Sequence, residues 1–252
     1  MIFWPLYIPI TALALIVYFY FIDWIFKGKK ARFKINSNDQ LNVNSRELKA
    51  TLLNLVVFMA AGVLVGWIIL NNVGQIYSVM DWDAKEVIYL IASFFIALGL
   101  HDIYFYWSHR FLHVKWVFKR VHSLHHKSHT VNAWSSFSFH PFEGFIQIGI
   151  VPIIACVMPI HENVLMLFTF FLLLISVYGH CGYELRPNKP NVFNVFNTSL
   201  HHYQHHKFGR YNFGIYLNVW DKMFKSGYPD YDATFNYLKK KINAKNKKPH
   251  QD

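Results

Sequence analysis

Five apolar stretches limit what this chain can fold into: residues 4–26, 52–70, 87–107, 142–160 and 164–178. Water cannot serve the backbone inside lipid, so a spanning segment must satisfy its own N–H and C=O groups, as a helix does. Roughly 20 apolar residues cross a bilayer core, and four to five of these runs are candidates. The first is too long and too aromatic for a cleaved leader, and no small-residue cleavage site follows it. In the second, Gly62 and Gly66 have the spacing for close helix packing, and simple tolerance of glycine explains them equally well. The fourth and fifth runs are separated only by 159–163. They predict a helical hairpin that either spans or re-enters. The composition agrees: 54% of the 252 residues are hydrophobic, 19% aromatic and 15% charged, against about 25% charged in ordinary soluble domains. The expectation is one all-α, multi-pass membrane domain over 1–252.

Charge asymmetry predicts orientation. Lys27, Lys29, Lys30, Arg32, Lys34, Arg46 and Lys49 crowd the first loop, whereas 71–86 holds only Lys85 against Asp81, Asp83 and Glu86. Residues 108–140 carry five basic and no acidic side chains, and twelve basic residues follow Gly179. The positive-inside rule puts these three basic regions together in the cytoplasm. A formal charge of +11 in short segments beside apolar runs fits an anionic membrane surface rather than nucleic acid. The basic end, 236–252, is expected to be a frayed helix or a solubilising tail. Cys156 and Cys181 are expected to pack as small apolar residues.

Three histidine clusters lie in the basic, cytoplasmic regions: His109 with His113; His122, His125 and His126; and His202, His205 and His206. Residues three and four apart share a helix face. This predicts a helical cap without a sheet, in which His122 meets His125 and His126, and His202 meets His205 and His206. The orientation did not use the histidines, so their common side is independent support for a shared site. Eight imidazoles exceed one coordination sphere of four to six ligands, and two metal ions are the economical reading. Imidazole suits zinc, copper, iron and nickel alike. His161 and His250 are expected to be structural. His101, His129 and His140 are ambiguous, although His140-Pro141-Phe142-Glu143 has the form of a helix start.

The order and spacing of the clusters resemble the fatty acid hydroxylase / sterol desaturase superfamily of membrane di-iron oxygenases. Asp102-Ile103-Tyr104-Phe105-Tyr106-Trp107-Ser108-His109-Arg110 with His113 resembles its first box, and Val121-His122-Ser123-Leu124-His125-His126-Lys127-Ser128 its second. Phe139-His140-Pro141, Gly179-His180-Cys181-Gly182-Tyr183-Glu184 and Tyr211-Asn212-Phe213-Gly214 with Trp220-Asp221 resemble flanking elements of the sterol-desaturase-like branch. The resemblance covers about 100–224. It implies that His109, His113, His122, His125, His126, His180, His202, His205 and His206 are metal ligands. In fatty acid hydroxylases His180 would have a partner four residues earlier, where this chain has Ser176. Either His201 or His129 replaces that ligand, or one iron keeps an open position. Asp102, Glu143, Asn212 and Asp221 are candidates to orient imidazole N–H groups, with helix capping and surface solvation as competing roles.

The implied activity is hydroxylation or desaturation of a sterol, fatty-acyl or related lipid, using dioxygen at two iron ions. No Gly-x-Gly-x-x-Gly run follows a strand. Electrons are therefore expected from a separate donor, a cytochrome b5 or ferredoxin with its reductase, docking on the basic cytoplasmic face. A metal transporter and a zinc-dependent lipid hydrolase are the competing classes.

Overall fold

The computed structural model describes residues 3–25, 35, 44–79, 82–129, 131–184 and 195–246. The basic segment 27–34 and the end of the chain, 247–252, lie outside these residues, as do Pro187 and Pro190. The first two long helices are α1 (Trp4–Ile25) and α2 (Ser45–Leu70). The second begins well before its apolar run, because Asn44 and Glu47 form a reciprocal capping box that starts the helix. Helix α3 (Ala84–Leu112) begins at the Asp83 cap, whose side chain accepts from Glu86 N at 2.8 Å. Past it come α4 (Lys115–Val117), a π turn over Phe118–His122 and α5 (Ser123–His126), then a 3₁₀ turn over Ala133–Phe137. The hairpin is α6 (Pro141–Val157) and α7 (Glu162–His180). Helices α8 (Ser199–Phe208), α9 (Val219–Met223) and α10 (Tyr231–Asn246) complete the described chain. The tail is thus helical as far as Asn246.

Helices α1, α2, α3 and α7 are each long and apolar enough to cross a membrane, and α6 is a shorter apolar helix. Two-residue strands, β1 (Ile76–Tyr77) and β2 (Ile160–His161), pair in parallel. They tie the α6–α7 turn to the α2–α3 loop, so the hairpin reaches the end of the bundle opposite the histidines. This pair is a sheet that the periodicity did not announce. In the cap an isolated antiparallel bridge joins Phe196 to Leu217, and among the described residues the cap is helical without a sheet, as expected. Two residues suffice for a bridge, and so short a contact leaves no alternating pattern to read.

The bundle core is built from buried faces of the long helices, including Trp4, Ile8, Phe58, Ile148, Ile154, Leu165 and Phe168. The outer faces expose Leu, Val, Ile and Phe, as lipid contact requires. The two glycines of α2 now differ. A Cβ at Gly62 would collide with the Trp4 carbonyl of α1, whereas at Gly66 it would meet nothing within 4 Å. Gly62→Val is therefore expected to force α1 from α2 and cost about 1–3 kcal/mol, the usual range for overpacking. Thermal unfolding in detergent should show a lowered midpoint for Gly62→Val and an unchanged one for Gly66→Val.

Candidate metal centre

Several elements meet above the bundle: the C-terminal ends of α3 (with its cap His113) and α7, the π turn that ends at His122, and the short helices α5 and α8. They bring nine imidazoles into two groups. His109, His113, His122, His126 and His205 form one group, and His125, His180, His202 and His206 the other, with ring nitrogens in each within 4.8 Å of one another. The i, i+4 pairs share a group, as at His122 with His126 (3.1 Å) and His202 with His206 (3.2 Å). The i, i+3 partners divide between the groups, while their rings still lie close, His122 and His125 at 5.4 Å and His202 and His205 at 5.7 Å. Successive helical residues point 100° apart at 3.6 per turn, so His125 and His126, like His205 and His206, straddle the helix face and look into different groups. His129 is exposed and His201 is buried elsewhere. His201 stacks on Tyr231 at 4.0 Å and caps α8, its Nδ1 accepting from Thr198 N at 3.1 Å. Neither joins the groups.

The hydrogen bonds fix the tautomers. His109 Nδ1 donates to Phe213 O (3.0 Å), His180 Nδ1 to Ser176 O (2.8 Å) and His205 Nδ1 to Tyr211 O (2.6 Å). His122 Nδ1 meets Glu143 Oε1 at 2.7 Å and donates to it when Glu143 is ionised, against the burial that pushes this carboxyl well above the usual range. In a neutral ring each of these then presents a bare lone pair at Nε2. His180 Nε2 has the Nε2 atoms of His125, His202 and His206 at 3.3, 3.1 and 3.2 Å. One lone pair cannot take three donors. The reverse conflict surrounds His126 Nε2, which lies 3.1 Å from the bare Nε2 atoms of both His122 and His205, two lone pairs for at most one N–H. A cation resolves both. Two nitrogens bound at about 2.1 Å sit roughly 3.0 Å apart at a right angle and about 3.4 Å at a tetrahedral angle. The donor set fits metal ions.

Protonation does not compete. Burial, followed by repulsion from neighbouring imidazoles, holds His122, His125, His202, His205 and His206 well below the usual histidine range. His126 falls to about 3 for the same leading reason. All six offer neutral nitrogens at physiological pH, the form a metal binds.

The polar residues singled out in the sequence are all buried, so surface solvation is excluded. Glu143 touches an imidazole directly. Asp221 acts one residue away: it accepts from Phe213 N (2.9 Å), Gly214 N (2.8 Å) and Ser226 Oγ (2.7 Å), holding the carbonyl that His109 uses. Asp102 straps the same loop to α3 by accepting from Tyr216 N, Leu217 N and Trp220 Nε1. Asn212, at φ 56°, donates to His201 O and Gln204 Oε1 and accepts from Tyr228 N. It shapes the loop without meeting a clustered imidazole. His101 also serves the loop, its Nδ1 lying 2.7 Å from Tyr216 OH.

A second brace was missed from the sequence. Glu47 accepts from Ser128 Oγ (2.6 Å) and Asn132 Nδ2 (3.0 Å). Thr51 donates to Trp134 O, and Asn54 to Phe139 O, each at 2.7 Å. Glu47, Thr51 and Asn54 share one face of α2 and pin the segment that follows the second histidine cluster. A polar stripe at helical spacing at the start of an apolar helix was the available signal.

Beneath the imidazoles lies a cavity of about 460 Å³. Its walls are apolar, from Phe58, Phe105, Phe137, Phe139, Ile148, Leu172 and Leu173, and its cap end includes His109, His122, His125, His180 and His202. Such a volume and lining suit a lipid-sized apolar ligand.

Spanning helices, clustered imidazoles and an apolar cavity define a multi-pass membrane protein with a metal-binding cap. The fatty acid hydroxylase family profile matches residues 94–226, just over half of the chain, and the protein belongs to that family, in its sterol-desaturase-like branch. Human lathosterol oxidase is 33% identical over 151 residues, covering 58% of this chain and 50% of its own. The Delta(7)-sterol 5(6)-desaturase of Saccharomyces cerevisiae is 28% identical over 226 residues, or 88% and 60%. Mouse lathosterol oxidase is 30% identical over 182 residues, or 72% and 60%. The chain thus spans half to three fifths of the length of these relatives. No solved structure matches it.

Proposed function

We propose that this protein is a membrane non-haem di-iron oxygenase that hydroxylates or desaturates a lipid, with a sterol as the first substrate to test. The observation that carries the proposal is the convergence of nine imidazole nitrogens in two groups above an apolar cavity. His109, His113, His122, His126 and His205 would hold one iron, and His125, His180, His202 and His206 the other. What bound iron supplies is dioxygen activation strong enough for an unactivated C–H bond. The chain's own residues do the rest. Phe213 O, Ser176 O, Tyr211 O and Glu143 hold the Nδ1 protons of four rings, keeping their Nε2 atoms aimed inward. The aromatic and aliphatic walls exclude water and hold a hydrocarbon against the imidazole end. The four-histidine group contributes three of the five clustered imidazoles that line the cavity, so its side chains are the better placed to face a bound hydrocarbon. Electrons would come from a separate donor, a cytochrome b5 or a ferredoxin with its reductase, at the basic cap. The charge bias of the loops supports a cytoplasmic site.

The test is purification in detergent, metal analysis, and mass spectrometry of sterols incubated with the protein, dioxygen and an electron donor. Two irons per chain, with gain of one oxygen atom or loss of two hydrogens, are expected. Stoichiometric zinc with hydrolysis of a lipid ester would overturn the proposal.

A further inference from the structure

The cavity has exposed lining at two places, Phe196 in the cap and a wall within the spans. Among its lining residues Phe95 is 64% exposed, and Gly99, one turn further along α3, is exposed as well. Opposite them, Phe171, Ile175 and Tyr178 of α7 line the cavity and are half-buried. The cavity therefore reaches the surface between α3 and α7, two apolar helices of spanning length. Gly99 stands ten residues before His109, about 15 Å along the helix at 1.5 Å per residue. At that depth the opening faces hydrocarbon. A Cβ at Gly99 would meet nothing within 4 Å, so packing does not demand the glycine. The residue lies where a side chain would project into the slot or across its rim.

We propose that substrate enters sideways from the bilayer through this α3–α7 slot, with Gly99 at its threshold. The substrate is then a lipid dissolved in the hydrocarbon, not an acyl chain delivered on a water-soluble carrier. The inference rests on the lipid-oxygenase reading and names its substrate class. The physical reason is that the rim residues Phe95, Gly99, Phe171 and Ile175 carry no charge and sit within the spans. A lipid crossing that rim moves from hydrocarbon to an apolar cavity without passing through water, so no apolar surface is exposed on the way.

The test uses the full chain in phosphatidylcholine vesicles containing a diazirine-bearing cholesterol, photolysed and analysed by peptide mass spectrometry. The probe should label Phe139 and Ile148, which line the buried wall. Gly99→Trp should abolish that labelling. Gly66→Trp, at an equally open glycine of α2 away from the cavity, should retain it. Gly99→Leu gives the same readout with less bulk should the tryptophan variant fail to fold. Inner-wall labelling that persists in both Gly99 variants, or that is missing from the unaltered protein, overturns lateral entry. Because labelling needs no turnover, the slot and the chemistry fail separately. Expected labelling without sterol oxidation keeps the slot and removes the oxygenase, and the reverse result keeps the oxygenase and removes the slot.

Discussion

His125→Ala is expected to abolish turnover, while His161→Ala keeps it. His125 belongs to the four-histidine group, with its Nε2 3.3 Å from His180 Nε2. Removing it leaves three imidazoles for one metal. Loss of a group that merely orients a ligand costs roughly 10–100-fold in metal affinity or activity, so loss of a ligand should exceed about 100-fold. The spans should still insert and fold, because each helix satisfies its own backbone. His161 lies at the other end of α7 from His180. The 19 residues of that helix put about 28 Å between them at 1.5 Å per residue. There His161 Nδ1 accepts from Asn163 N at 3.1 Å, and its ring packs on Tyr77 at 5.3 Å. Alanine should cost about 1 kcal/mol, as for a lost helix cap, and spare the chemistry. The measurements are iron per chain and product formed per milligram of protein in membranes. An active His125→Ala with full iron would remove that residue from the ligand set. An inactive, correctly inserted His161→Ala would mean that the two ends of the hairpin are coupled.

Glu143→Leu should weaken the centre by roughly 10–100-fold in metal affinity, and Glu143→Gln should recover most of the loss. Glu143 Oε1 holds the Nδ1 proton of His122, and both side chains are about 1% exposed. Glutamine keeps an acceptor at Oε1. Its amide group takes the place of Oε2, which has no protein hydrogen-bond partner, so the change brings no clash of donors. Leucine leaves the ring without an acceptor and free to change tautomer or turn away. Titration of the chelated protein with ferrous iron reads the affinity, and thermal unfolding controls for folding. A merely structural carboxylate would lower the unfolding temperature in both variants without separating their iron affinities. Equal affinities for Leu and Gln would therefore rule out the positioning role.

Much of this architecture was legible because its signals are local. Apolar runs define spans whatever surrounds them. His140-Pro141 marks a helix start, and i, i+4 histidines mark a shared face. The sterol-desaturase-like boxes were readable for the same reason, being short contiguous strings with set spacing. The helix bounds moved at several ends: Asn44 and Glu47 start α2 ahead of its apolar run, α3 continues to Leu112, and α6 stops at Val157.

Contacts between distant segments were not legible. Only the tertiary structure decided that His125 and His126 serve different groups, because that depends on where the ends of α3, α7 and α8 stand around α5. It separated Gly62 from Gly66, since only one of them meets the backbone of α1. It turned Asp102, Glu143 and Asp221 from ambiguous acids into three buried acceptors with different partners, one of them an imidazole and the others a loop strapped across the cavity. The sequence by itself determined the membrane helices, the helical faces and the stock of imidazoles, because hydrophobicity and a 3.6-residue period act within one segment. The pairing of lone pairs across helices, and the cavity that opens beneath them, arise from contacts between distant segments, such as His109 with the carbonyl of Phe213, 104 residues away, and no local pattern carries that information.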